Sequence, residues 1–243
     1  MRHNRLPAAV MGASLLLVGC GAGGETSPPG PEASPSPAPV AGTGGQSPVA
    51  SEPLSRAPKV VFLGDSLTAG FGLAGPDALP DQVARALAQG GVEIATVNAG
   101  VSGDTTANGL ARYDWSVASA KPDLLVVALG ANDYLLGLSP DTARDNLAAI
   151  ITRAQADGVP VLLAGIEPRS DAAQGSRDAA FAAIYPDLAA EHGVPLYPAL
   201  LEGVRDNPEL LQPDGVHPTA DGVALMADRL GDSLLPQLES LAE

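Results

Sequence analysis

One cysteine, Cys20, occurs in 243 residues. A single thiol cannot close an internal disulfide, so the fold must hold by packing alone. Basic residues are few: 13 Lys and Arg stand against 28 Asp and Glu, a formal charge of −15. A surface this acidic argues against a nucleic-acid partner and against lying flat on anionic lipid. Only three histidines are available to act as a general base. The apolar run near the amino terminus, residues 6–18, is too short to span a membrane comfortably.

That run follows the basic start Met1-Arg2-His3-Asn4-Arg5 and leads into Leu17-Val18-Gly19-Cys20. A positive start, a short apolar stretch and small residues describe a secretory signal. Leu17-Val18-Gly19-Cys20 resembles a bacterial lipobox. The resemblance implies cleavage before Cys20, lipid on its sulfur, and an exported protein anchored to a membrane, facing the periplasm or cell exterior. Residues 1–19 are then the signal, 20–57 the lipidated cysteine with a linker, and 58–243 the folded domain. Losing Arg2 and Arg5 moves the charge to near −17. Between residues 21 and 57, Pro, Gly and Ser supply 21 of 37 residues, and no aromatic residue occurs. Such a segment buries too little apolar surface to offset its ordering entropy. As a flexible coil it spans roughly 30–35 Å root-mean-square, a tether holding the domain off a membrane.

From Lys59 onward, short apolar runs alternate with longer helix-compatible stretches. Strands are expected at 60–63, 94–97, 124–129, 159–166 and 194–196. Helices are expected at 77–89, 105–118, 140–157, 178–191 and 219 to about 241. Pro186 is expected to kink or split the fourth helix, and Gly231 or Pro236 to break the last. This alternation gives an α/β protein, a five-stranded parallel sheet covered by helices on both faces.

Polar clusters follow the strands. Ser66 comes after the first, Ser102-Gly103-Asp104-Thr105 after the second, and Asn132-Asp133 after the third. Ligands and reacting groups in open α/β sheets gather at the strands' carboxyl ends. Gly64-Asp65-Ser66 alone could be an ordinary turn capping a helix. A nucleophilic serine needs a base. His3 leaves with the signal. His192 lies at a helix end, where a protonated imidazole suits the helix dipole. His217 remains, with Asp214 three residues before it, so one loop can hold a carboxylate against an imidazole nitrogen. Acyl transfer also needs donors for the developing oxyanion. The N–H of Ser66, the N–H of Gly103 and the amide of Asn132 are available at neighbouring strand ends.

Gly64-Asp65-Ser66-Leu67, Ser102-Gly103-Asp104-Thr105, Gly130-Ala131-Asn132-Asp133 and Asp214-Gly215-Val216-His217-Pro218 resemble, in order, the four blocks of the GDSL or SGNH hydrolases. The likeness runs from residue 59 to about 240. The spacing is similar to the branch of bacterial periplasmic acyl-CoA thioesterase, lysophospholipase and arylesterase proteins. The resemblance implies a flavodoxin-like three-layer α/β/α sandwich, with Ser66 as nucleophile and Asp214–His217 completing the triad. It implies Gly103 and Asn132 in the oxyanion hole, and ester or thioester hydrolysis without metal or cofactor. Leu79 departs from relatives that often carry a Trp near the first helix, which leaves the shape of the acyl pocket open.

Two motifs mislead. Gly70-Phe71-Gly72-Leu73-Ala74-Gly75 matches G-x-G-x-x-G, with Glu93 at a suitable distance. A dinucleotide fingerprint starts directly at the strand end and runs into the helix, whereas here five residues intervene and Pro76 follows. A flexible loop beside Ser66 is expected instead. Gly100-Val101-Ser102-Gly103 lacks the spacing of a nucleophile elbow. The sequence thus predicts a hydrolase of short- to medium-chain acyl esters, thioesters or lysophospholipids. A carbohydrate O-acetyl esterase and a non-catalytic solute-binding lipoprotein are the alternatives.

Overall fold

A computed structural model describes residues 56–166 and 176–242. The expected signal, Cys20 and nearly all of the expected linker lie outside the described residues. The five expected strands form one all-parallel sheet: β1 (Lys59–Gly64), β2 (Ala95–Gly100), β3 (Leu124–Ala128), β4 (Val161–Ala164) and β5 (Leu196–Tyr197), in the order β2-β1-β3-β4-β5. The helices are α1 (Ser66–Ala69), α2 (Leu79–Gln89), α3 (Thr106–Ala111), α4 (Tyr113–Ser116), α5 (Ala131–Leu135), α6 (Pro140–Ala156), α7 (Arg177–His192) and α8 (Ala220–Ser240).

Side chains alternate across a strand, so each strand feeds two cores. Val60 and Phe62 of β1, with Leu124 and Val126 of β3, pack against α2 and α8. Val61 and Leu63, with Leu125 and Val127, pack against α6 and α7 on the other face. All eight of these strand residues are essentially fully buried. This is the expected α/β/α sandwich, with the nearly continuous apolar strands of a sheet buried on both sides.

Several boundaries differ from expectation. The helix expected over 105–118 is two helices, α3 and α4, meeting at Arg112, whose backbone leaves helical geometry at φ −101° and ψ 8°. β2 runs on through Asn98 to Gly100 because its pairing continues to Gly64 of β1. As an edge strand, largely half-buried or exposed, it lacks the continuous apolar run that marks the central strands. β5 starts two residues later than expected and ends one later, paired through Leu196 and Tyr197. Neither proline splits its helix: α7 continues through Pro186, and α8 through Gly231 and Pro236. Both prolines are exposed, as are Ala182 and Asp232 one turn earlier, whose carbonyls lose the bond a proline cannot donate. Both carbonyls belong to exposed residues, while Phe181, Ile184, Tyr185 and Leu188 in α7 and Leu230, Leu234 and Leu238 in α8 anchor both halves to the core.

Candidate active site

Gly64 at the end of β1 pairs with Gly100 of β2 on one side and Ala128 of β3 on the other. The three loops that follow therefore leave the sheet side by side. The chain also reverses its winding at β1, and a crevice opens at such a switch point.

After Gly64 the chain turns at once into α1. Asp65 caps it, its buried carboxylate accepting the Leu67 N–H at 3.0 Å. Ser66 is the first helical residue. This turn lies so close to the sheet that only glycine fits beneath it. A Cβ on Gly64 would stand 2.0 Å from Thr68 Oγ1, and one on Gly100 would stand 2.4 Å from the Ala69 nitrogen.

His217 arrives on the loop before α8. The Gln212 N–H donates to the His217 carbonyl at 2.7 Å, and the Thr219 hydroxyl caps α8 by accepting the Gly222 N–H. Inside this loop the two carboxylate oxygens of Asp214 divide the work. Oδ1 accepts the backbone N–H groups of Val216 at 2.9 Å and His217 at 3.0 Å, which shapes the turn. Oδ2 lies 2.7 Å from His217 Nδ1. The other ring nitrogen, Nε2, lies 2.9 Å from Ser66 Oγ, between residues 151 apart in sequence. Ser66, His217 and Asp214 thus form one hydrogen-bonded chain.

Asp214, at the end of this chain, and Asp65, beside it, are pushed in opposite directions. The His217 N–H, the His217 ring and the Val216 N–H hold the Asp214 carboxyl down at about 2, so it stays ionised well below neutral pH. Burial pushes Asp65 up to about 6, partly offset by the Leu67 N–H it accepts.

Asn132 sits in the short helix α5, just after β3. Its Nδ2 donates to the Asp104 carbonyl at 2.9 Å, and an amide nitrogen carries a second hydrogen for another acceptor. Gly103, next to Asp104, is exposed and left-handed at φ 88°. Ser66, Asn132 and His217 line one cavity of about 280 Å³, and Gly103 does not line it. The rest of the lining is largely apolar: Leu67, Leu135, Ile166, Leu201, Leu211 and Val216 contribute. Leu79 is fully buried in the core and does not shape this cavity.

His192 ends α7 with its ring near Glu191 at 4.0 Å. Cys20 lies outside the described residues. The G-x-G-x-x-G stretch is not a loose loop, as expected, but a pinned turn. The Phe71 N–H donates to the Ser66 carbonyl, and Gln212 Nε2 donates to the Phe71 carbonyl at 2.7 Å. The Phe71 ring lies 4.4 Å from the His217 ring, tilted by 34°. Phe71 was missed because its phenyl ring stood inside a glycine pattern; an aromatic side chain among flexible residues was the available signal.

The order of the sheet and the position of Ser66 at its switch point define the class: this is the fold of the SGNH hydrolases. Residues 62–225 match the model of the GDSL-like Lipase/Acylhydrolase family. The chain is 36% identical over 185 residues to esterase TesA of Pseudomonas aeruginosa, across 76% of this chain and 91% of that protein. It is 37% identical over 183 residues to thioesterase 1/protease 1/lysophospholipase L1 of Escherichia coli K12, across 75% of this chain and 86% of that protein. The crystal structure of AlinE4, an SGNH-hydrolase family esterase, superposes with a TM-score of 0.62 at 39% identity, covering 76% of this chain and 98% of that one. The chain belongs to the GDSL-like lipase/acylhydrolase family and is a serine hydrolase of ester or thioester bonds.

Proposed function

We propose that Ser66, His217 and Asp214 hydrolyse short- to medium-chain acyl esters or thioesters, lysophospholipids among them, through an acyl-enzyme. The observation that carries this reading is the unbroken chain of hydrogen bonds from Ser66 Oγ through the imidazole to the carboxylate. His217 Nε2 takes the hydroxyl proton as Oγ attacks the acyl carbon. Asp214 holds the ring in the tautomer that can accept, and stabilises the imidazolium that forms. The N–H groups of Ser66 and Gly103 and the free amide hydrogen of Asn132 receive the oxyanion. His217 returns its proton to the departing alcohol or thiol. Water then attacks the acyl-enzyme by the same route and frees Ser66.

An apolar cavity opening on the nucleophile supports an acyl chain as the occupant. Leu135 and Val216 carry that character out to exposed positions. A sugar acetate would call for a polar lining instead. An exported protein held by lipid on Cys20 completes the reading, its linker letting the domain reach ester substrates at a membrane. The test is a panel of p-nitrophenyl acyl esters, an acyl-CoA, a lysophospholipid and an acetylated glycan, with organophosphonate labelling. Turnover of the acyl compounds and a label on Ser66 are expected. Preference for the glycan, or a label elsewhere, would overturn the reading.

A further inference from the structure

We infer that Arg112 is a positioning residue that sets the spacing of the oxyanion donors; this rests on the proposed role of Ser66, Gly103 and Asn132. Arg112 is 7% exposed, at the break between α3 and α4. Its guanidinium reaches three separate segments. Nη2 donates to the carbonyl of Gly64 at 2.9 Å, immediately before Asp65 and Ser66. Nε donates to the Asp104 carboxylate at 2.6 Å, immediately after Gly103. Nη1 donates to Ser116 Oγ at 3.0 Å, which fixes the plane of the group to its own helix. The backbone carbonyl of Asp104 in turn holds the Asn132 amide.

One rigid group therefore ties the strand end that carries Ser66 to the residue that borders Gly103 and orients Asn132. All three donors hang from its two ends. A buried ion pair is weak evidence for stability, because desolvation offsets most of the attraction. What a guanidinium adds is a planar fork with donors at fixed angles, which an ammonium lacks. The fork here spans the gap between two loops of the site. The Gly103 loop is exposed, and a Cβ at Gly103 would meet no atom within 4 Å, so packing around that residue gives it little support.

The test uses Arg112→Lys and Asp104→Asn, each alone and in an Asn132→Ala background. Asp104→Asn leaves the backbone carbonyl that Asn132 uses. Turnover of p-nitrophenyl butyrate is measured on protein shown to be folded by a cooperative melt. Misplacing donors by about an ångström costs up to about a hundredfold, so kcat should fall about ten- to a hundredfold in each single variant with KM within about twofold. With Asn132 already truncated, the same substitutions should still lower kcat, because the Ser66 and Gly103 donors remain to be positioned, but by less than they do alone, because one of the three donors is gone. Unchanged kcat in folded Arg112→Lys would overturn the inference. So would a loss carried by KM with kcat unchanged, since that places the effect in substrate binding rather than in donors used in the transition state. If Arg112→Lys fails to fold, Asp104→Asn carries the same expectations. Failure of the underlying mechanism looks different: Ser66→Ala would then keep its turnover, whatever Arg112 does.

Discussion

A serine hydroxyl is a poor nucleophile at its own pKa, so the residue that matters to Ser66 is the imidazole 2.9 Å away. Ser66→Ala and His217→Ala should each remove nearly all hydrolysis while the domain still melts cooperatively, and His192→Ala should leave kcat/KM almost unchanged. An essential His192 with a dispensable His217 would reverse the assignment. Asn132 tests the oxyanion hole separately. Loss of one such donor raises the barrier by about 3–4 kcal/mol, so Asn132→Ala should lower kcat roughly a hundred- to a thousandfold with little change in KM. Near wild-type kcat in the folded variant would remove Asn132 from the mechanism. Asp65 gives a pH signature in stability. Its carboxyl rises from 3.8 to about 6 in the fold because burial disfavours the charge. Below 3.8 it is neutral in both states; between there and about 6 the unfolded chain ionises first, so rising pH costs stability; above 6 the cost is constant. The melting temperature of Asp65→Asn, relative to the parent, should therefore climb between pH 4 and 6 and level off above. A flat difference would mean that Asp65 ionises freely in the fold. Ser66, Asp214 and His217 were legible in the sequence because each lies in a short block with a chemical reason for its spacing. Phe71 and Arg112 were not, because their contacts with His217 and Gly64 depend on how distant segments meet.

At the level of elements, the longer helices and the buried strands could be read, since short apolar runs alternate with helix-compatible stretches long enough to show. α1 and α5 could not. Four or five residues show no period, and each forms a helix because a tight turn out of the sheet leaves it nowhere else to go. Glycine is what permits that turn. A methyl at Gly100 would run into the backbone of Ala69 at 2.4–2.9 Å and the carbonyl of Asp65 at 2.9 Å. Neither can swing aside as a flexible side chain would. Gly100→Ala should thus displace α1 from the sheet end, costing about 1–3 kcal/mol of stability. It should also lower kcat in the folded fraction, because Ser66 rides on α1. Chemical denaturation beside single-turnover kinetics checks both. A stability loss with unchanged kcat would mean that α1 absorbs the methyl without moving Ser66. Pro186 and Pro236 make the converse point: in sequence both read as helix breakers, but their lost bonds fall on the solvent side, and sidedness emerges only once the helix is docked.

At the level of the whole molecule, the proposed reading divides chemistry from location. The proposed nucleophile, base, carboxylate and oxyanion donors all lie between Ser66 and His217. The described domain already begins at Arg56, whose guanidinium makes a two-pronged ion pair with Asp123 at 2.7 and 2.9 Å. Arg56 is exposed, but Asp123 is largely buried and also accepts the Lys59 N–H at 2.7 Å, so a chain cut before Arg56 keeps the pair. The segment before it holds Cys20, the sole thiol, and a Pro/Gly/Ser-rich stretch without aromatic side chains. That segment holds none of the residues proposed for acyl transfer, while a lipid on Cys20 would fix where the reaction happens. Two variants separate the functions. Cys20→Ala in the full chain should move the protein from the membrane fraction to the soluble one and abolish labelling by radioactive palmitate, because no other thiol can accept the lipid. A chain beginning at Arg56 should match the parent in kcat and KM on a soluble short-chain ester, since a soluble substrate does not need the membrane. The two should diverge on lysophospholipid presented in vesicles, where the anchored enzyme works at the surface that holds its substrate. Retention of palmitate by Cys20→Ala would overturn the anchor. A large loss on the soluble ester from removing residues 1–55 would mean that the segment before the domain belongs to the site.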